Sequence, residues 1–185
     1  MPADTATTPT VSEAARLARW RLCLHEAGHA VAGRVLLGNT ARAVVFDDGC
    51  GAAYMGNDRT GTDGFERVLA IAAGPAAESL ADRYTPPESA PAPALEATYP
   101  ELAAELKRDL GQWPSDEQRI ARWCIAWIED QPERWVNRFH WIHHEARLLV
   151  AAHEGQIVQT AAVLYGRGIV TLPADTGEKG IEHVD

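Results

Sequence analysis

The chain has 185 residues, 46% of them hydrophobic, with a net charge of −9 and three cysteines. That length and apolar fraction suit one globular domain with a real core. The acidic balance excludes nucleic acid as the main partner, because phosphate binding needs a basic surface. Cys23, Cys50 and Cys124 form no Cys-x-x-Cys pair, which reads as reduced thiols of a cytoplasmic protein and supplies neither a disulfide framework nor a thiolate metal site.

Residues 1–11 are polar and Thr-rich, lack an apolar signal core, and are expected to form a disordered lead-in. No run approaches 18 apolar residues, so no membrane span is expected. Thr10-Val11-Ser12-Glu13 has the form of a capping box with Thr10 as N-cap. It predicts a helix from about Ser12 to Leu37, ended by Gly38-Asn39.

His25-Glu26-Ala27-Gly28-His29 lies in the second half of that helix. Residues i and i+4 share a helix face, so both imidazoles can reach one metal ion. Glu26 is rotated by about 100° from His25, too far to be a ligand but well placed to touch a metal-bound water. This is the His-Glu-x-x-His arrangement of zinc hydrolases. A merely solvated polar face explains it poorly. The neighbours Ala27, Gly28, Ala30, Ala32 and Gly33 are small, and Gly28 costs a helix interior about 1 kcal/mol relative to alanine.

Two short strand-like runs follow, Ala41 to Phe46 and Cys50 to Met55, joined at Asp47-Asp48-Gly49. They predict an antiparallel hairpin, either a substrate-aligning edge or a simple cap. Asn57 to Gly64 reads as a loop, with Asp63 capping a helix from Gly64 to about Tyr84 that kinks at Gly74-Pro75. Thr85 to Ala94 is Pro-rich and reads as a linker. A helix over Leu95 to Leu110 is interrupted by Pro100. Ser115-Asp116-Glu117-Gln118 is a capping box for a helix to about Glu129. Further helices are predicted over Pro132–Ala152 and Gly155–Tyr165, closed by Gly166-Arg167-Gly168. The chain is therefore mostly α with a small β element.

A catalytic zinc takes three protein ligands and a water. No Gly-x-x-His follows His29, so the third donor lies elsewhere. Glu78, followed by Asp82, and Asp116, at the head of a capped helix, are the two candidates.

His25-Glu26-Ala27-Gly28-His29-Ala30-Val31-Ala32 resembles the zinc helix of the FtsH-like peptidase family, the proteolytic domain of AAA membrane proteases. Ala72-Ala73-Gly74-Pro75-Ala76-Ala77-Glu78-Ser79-Leu80 resembles that family's second signature helix. Ser115-Asp116-Glu117-Gln118-Arg119-Ile120-Ala121 stands where the family carries its ligating aspartate, although the usual Thr-Gly-Ala lead-in is missing. The resemblance spans roughly Leu24 to Ala126. It implies a zincin-like helical metallopeptidase domain, with Zn2+ held by His25, His29 and Asp116 and with Glu26 as general base on a zinc-bound water. The expected organisation is a single peptidase domain over 12–172 with an insertion over 85–114 and a frayed tail over 173–185. It is expected to stand alone, without the AAA ATPase module, and to act on peptide or protein substrates independently of ATP. A non-catalytic regulatory or protein-binding module that keeps the fold is the competing expectation.

Three further features invite over-reading. His140, His143, His144 and His153 include metal-like spacings, but no carboxylate motif accompanies them, so an amphipathic helix is the simpler account. Tryptophans cluster from Trp113 to Trp141, where core packing is the default and a protein-binding surface on the C-terminal helices the sharper alternative. Ser115 is a helix cap rather than a nucleophile, since no local base attends it.

Overall fold

The computed structural model describes residues 12–46, 48–56, 64–89, 91, 95–110, 114–126 and 134–174. Helix α1 (Glu13–Leu37) runs through the middle of the molecule. Its N-cap is Ser12, whose Oγ accepts from the Ala15 N–H at 3.2 Å. Thr10, the cap expected from sequence, lies outside the described residues. Capping from Ser12 puts Glu13 at the first helical position, where a negative charge meets the positive end of the helix dipole. Gly38 closes α1 as foreseen, with φ of 66° and its N–H bonded to the Arg34 carbonyl.

Helix α2 (Phe65–Ala77) lies against α1. The contact is close because both faces are small. A Cβ placed on Gly28 would sit 2.6 Å from the Ala73 carbonyl oxygen and 2.7 Å from Ala77 Cβ. The helix-propensity cost of Gly28 is thus offset by an approach that no other residue permits. The α-helical run stops at Ala77, earlier than the expected Tyr84, and tightens into a 3-10 turn over Glu78–Asp82. Pro75 has no N–H for the Ile71 carbonyl, which weakens the helix just before this change. Gly64 is the N-cap of α2 and offers no side-chain bond; the expected Asp63 cap and its loop lie outside the described residues.

Strands β1 (Ala41–Val45) and β2 (Gly51–Tyr54) form the predicted hairpin, with Val45 opposite Gly51 and Arg42 opposite Tyr54. A third strand, β3 (Ile169–Leu172), was not foreseen. It pairs antiparallel with the other edge of β1, giving the order β2-β1-β3. Gly168, with φ of 73°, turns the chain directly from the last helix into it.

Both faces of β1 are covered. Ala41, Ala43 and Val45 join the main core with α1 and α2. Val44 and Phe46 face a smaller core built with Ala52, Leu95, Ala103 and Leu106. The last three belong to α3 (Leu95–Thr98) and α4 (Pro100–Leu110), which part at Pro100 as the sequence suggests. Lys107 on α4 fixes this layer to the hairpin turn, with Nζ 2.5 Å from Asp48 Oδ2 and 2.6 Å from Glu96 Oε1.

Helices α5 (Asp116–Ala126), α6 (Trp135–Ala152) and α7 (Glu154–Arg167) complete the helical layer. Trp20 of α1 meets Tyr165 of α7 edge to face at 6.0 Å, and its indole N–H donates to the Tyr84 carbonyl at 2.6 Å. The Tyr84 hydroxyl and the Arg83 guanidinium both bond Glu154 at the start of α7. Among the described residues no helix is long and apolar enough to cross a membrane.

Candidate metal centre

Helix periodicity brings His25 and His29 together on α1. Their Nε2 atoms are 3.0 Å apart and the rings meet edge to face. Asp116 Oδ2 lies 3.1 Å from His25 Nε2 and 2.9 Å from His29 Nε2. Asp116 is held there by a reciprocal cap: Ser115 Oγ accepts from the Gln118 N–H, and Gln118 Oε1 accepts from the Ser115 N–H, both at 3.3 Å. The capping box read from sequence is what aims this carboxylate.

The far nitrogen of each ring is also engaged. His25 Nδ1 is 2.7 Å from Glu78 Oε1, and His29 Nδ1 is 3.0 Å from the Ala70 carbonyl oxygen. Both of these oxygens can only accept, so each Nδ1 carries the proton and donates. The two Nε2 atoms are then left with lone pairs directed at one point, where a carboxylate oxygen also arrives. Three acceptors so close could hold a cation among them. Ligands about 2.05 Å from a tetrahedral zinc stand about 3.3 Å apart, a few tenths of an ångström wider than these spacings. The donor set is therefore the right chemistry at nearly the right size. Among the described residues, His25, His29 and Asp116 are the group of three with metal-ligand geometry.

The electrostatics follow from the same contacts. Burial disfavours a charged His25, yet its bonds to Asp116 and Glu78 outweigh this and raise its pKa to about 10. Asp116 is also penalised by burial, but the two histidines hold its carboxyl well below the usual range. The bond from His25 lowers the pKa of Glu78.

Glu26 is buried at 4% exposure. Its Oε2 has no hydrogen-bond partner among the described residues. Burial raises its pKa, with partial compensation from His29 and His25. A buried carboxylate oxygen left without a partner beside two metal-type histidines fits a site that could also hold a cation and a water. Two glycines make room for this arrangement. A Cβ on Gly51 of β2 would lie 2.5 Å from Glu26 Oε1, and one on Gly74 of α2 would strike the His29 ring.

The group opens on a cleft of about 310 Å³. Its floor is α1, one wall is Gly51–Ala53 with Met55, and another is the entry to α5 from Pro114 to Arg119. The sequence therefore names the residues that converge. It does not reveal that Glu78 bonds the back of His25 instead of joining the three donors, nor the parts played by Ala70 and Gly51. The Glu78 position four residues beyond Gly74 was the available signal; a backbone carbonyl leaves none.

The other suspected features take no part in the centre. His143 packs on Phe139 at 4.4 Å, and His140 and His144 are exposed on α6. Trp123 is buried, Trp135 half-buried, and Trp141 stacks on Phe65 at 5.0 Å; Trp113 and Trp127 lie outside the described residues. Cys23 and Cys124 are buried free thiols, and Cys50 is exposed. No protein-family model matches the chain, and no curated protein matches it.

Proposed function

We propose that the protein is a zinc-dependent metallopeptidase, a zincin-like enzyme of the FtsH-like type. The observation that carries this reading is the convergence of His25 Nε2, His29 Nε2 and Asp116 Oδ2 beside buried Glu26, whose Oε2 has no partner among the described residues. His25, His29 and Asp116 would hold the ion. Zinc, when bound, supplies Lewis acidity and lowers the pKa of water to about 7.

The chain's own residues do the rest. Glu78 and the Ala70 carbonyl fix the two imidazole tautomers, keeping both Nε2 lone pairs on the metal side. Glu26 takes a proton from the attacking water and passes it to the leaving amine. Its buried position supports this role, because a carboxylate shielded from solvent binds a proton more readily. Strand β2 borders the cleft and pairs only with β1 among the described residues. Its outer edge suits an extended peptide joined by backbone hydrogen bonds.

Glu26→Gln is the test. Zinc content by metal analysis should match wild type, while cleavage of an unfolded protein substrate should fall by about 10²- to 10⁴-fold. Equal cleavage by variant and wild type would falsify the mechanism. Stoichiometric zinc in a wild-type protein that cleaves nothing would favour a non-catalytic module.

A further inference from the structure

Strand β2 and helix α1 run side by side along the cleft, and two glycines fix their alignment. A Cβ on Gly51 would meet Glu26 Oε1 at 2.5 Å, and one on Gly33 would meet Met55 Cγ at 2.5 Å and its Cβ and Sδ at 2.9 Å. Gly51 therefore lies against Glu26, and Met55 against Gly33. Four strand residues cover about 13 Å and seven helical residues about 10.5 Å, so the two elements keep step. The Phe46 N–H donates to the Cys50 carbonyl. By antiparallel alternation Cys50, Ala52 and Tyr54 turn their backbone groups to β1, and Gly51 and Ala53 turn theirs to the outer edge. Ala53 and Met55 pack on the main core with α1. A peptide joined to that edge sends every second side chain to the same face, where it meets Met55.

Met55 lines the cleft with only 7% of its surface exposed. Gly33 is four residues beyond His29, so the thioether rests on the helix face that carries this imidazole, about 6 Å further along α1. The helix gives up propensity at Gly33 to seat it there. On the β2 side the cleft is lined by Gly51, Ala52, Ala53 and Met55, all uncharged, and Met55 is the bulky one among them.

We propose that Met55 is a specificity-determining residue: its thioether restricts the peptide side chain one or two residues from the scissile bond to a small apolar one. This rests on the metallopeptidase reading above. The 6 Å step from His29 is about two residues of extended peptide at roughly 3.3 Å each. The cleft volume of about 310 Å³ is at the lower end for a small-ligand site. With the thioether seated on Gly33, alanine or valine fits beside it and phenylalanine or tryptophan does not. One methylene in an apolar pocket is already worth about 10- to 200-fold in rate.

The test maps by mass spectrometry the products that the zinc-loaded full chain releases from a denatured protein. Wild type should show a position within two residues of the cut where Ala and Val exceed Phe and Trp by about tenfold. Met55→Ala should bring that ratio to unity or below. Gly33→Ala should shift the preference in the opposite sense and deplete Val relative to Ala, because the new methyl pushes the thioether off α1 and into the cleft. A ratio taken within one sample does not depend on the folded fraction, so lost stability leaves it unchanged, and Met55→Val carries the same test where Met55→Ala does not fold. Aromatic preference at every position near the cut in wild type overturns the assignment, as does a profile that both variants leave unchanged or shift in the same sense. A wild-type protein that takes up no zinc, or takes it up and cleaves nothing, overturns the peptidase reading and the role of Met55 with it.

Discussion

Gly74→Ala puts the geometry of the centre to a severe test, because two effects of opposite sign meet there. In an ordinary helix interior the change stabilises by about 0.5–1 kcal/mol. Here the new Cβ would lie 2.8 Å from His29 Cδ2 and closer still to Cε1 and Nε2. Overpacking of this kind costs about 1–3 kcal/mol. The ring can escape only by turning, which breaks its 3.0 Å bond to the Ala70 carbonyl and swings Nε2 away from His25 and Asp116. Net of the helix gain, the metal-free variant should be up to about 2.5 kcal/mol less stable, a fall in Tm of at most roughly 10 °C for a chain of this size. Zinc affinity should fall at least about tenfold, since the imidazole loses both its position and its orienting partner. Thermal denaturation of the metal-free protein and zinc titration against a chromophoric chelator measure the two quantities. A raised Tm with unchanged zinc affinity would refute the close approach of α2 to His29.

Glu78→Gln should lower zinc affinity about tenfold, because it weakens the partner of His25 Nδ1 without removing a ligand. Asp116→Asn should lower it further, and a larger loss at Glu78 would reverse the ligand order. Native protein treated with a thiol reagent at pH 8 should label at Cys50 alone, since Cys124 is buried and burial pushes the Cys23 thiol up to about 12; unfolding should expose all three cysteines, and rapid native labelling of Cys23 would contradict its packing. Lys107 holds the Asp48 carboxyl below its ordinary 3.8, so the stability from this pair is full above that value and lost as pH falls. The Tm difference between wild type and Lys107→Met should thus be largest near neutral pH and narrow below about pH 4; a gap that widens with acid would deny the pair.

The legible parts of this protein are those written by local rules. His25, Glu26 and His29 are related by helical period alone. The capping box at Ser115 both starts α5 and aims Asp116, so one local motif carries a tertiary consequence. Pro100 and the Asp48-Gly49 turn likewise act where they stand. What the sequence conceals depends on pairing at a distance. Four residues from Ile169 to Leu172 become a strand only because the far edge of β1 is open to them. Glu78 faces the back of His25 because α2 tightens after Pro75, a change of helical pitch that no pattern of residue types announces. The place of the helical segment after the Pro-rich linker was also tertiary: α3 and α4 cover the second face of β1 and build a small core with it.

Helix α2 explains why two apparently separate motifs belong to one site. Ala70, Ala73, Gly74 and Ala77 recur at helical spacing and form one narrow face of α2, with Glu78 just beyond its end. Ala73 and Ala77 receive Gly28, Gly74 makes way for the His29 ring, Ala70 offers its carbonyl to that ring, and Glu78 takes the other histidine. Small side chains are therefore a means of bringing backbone and carboxylate oxygens within reach of both imidazoles. It follows that a bulky residue at Gly28, which touches neither His25 nor His29 across the helix interface, acts on the metal site by lifting α2 away. Loss of zinc affinity and loss of helix packing should then rise together at Gly28, whereas at Glu78 affinity should change almost alone.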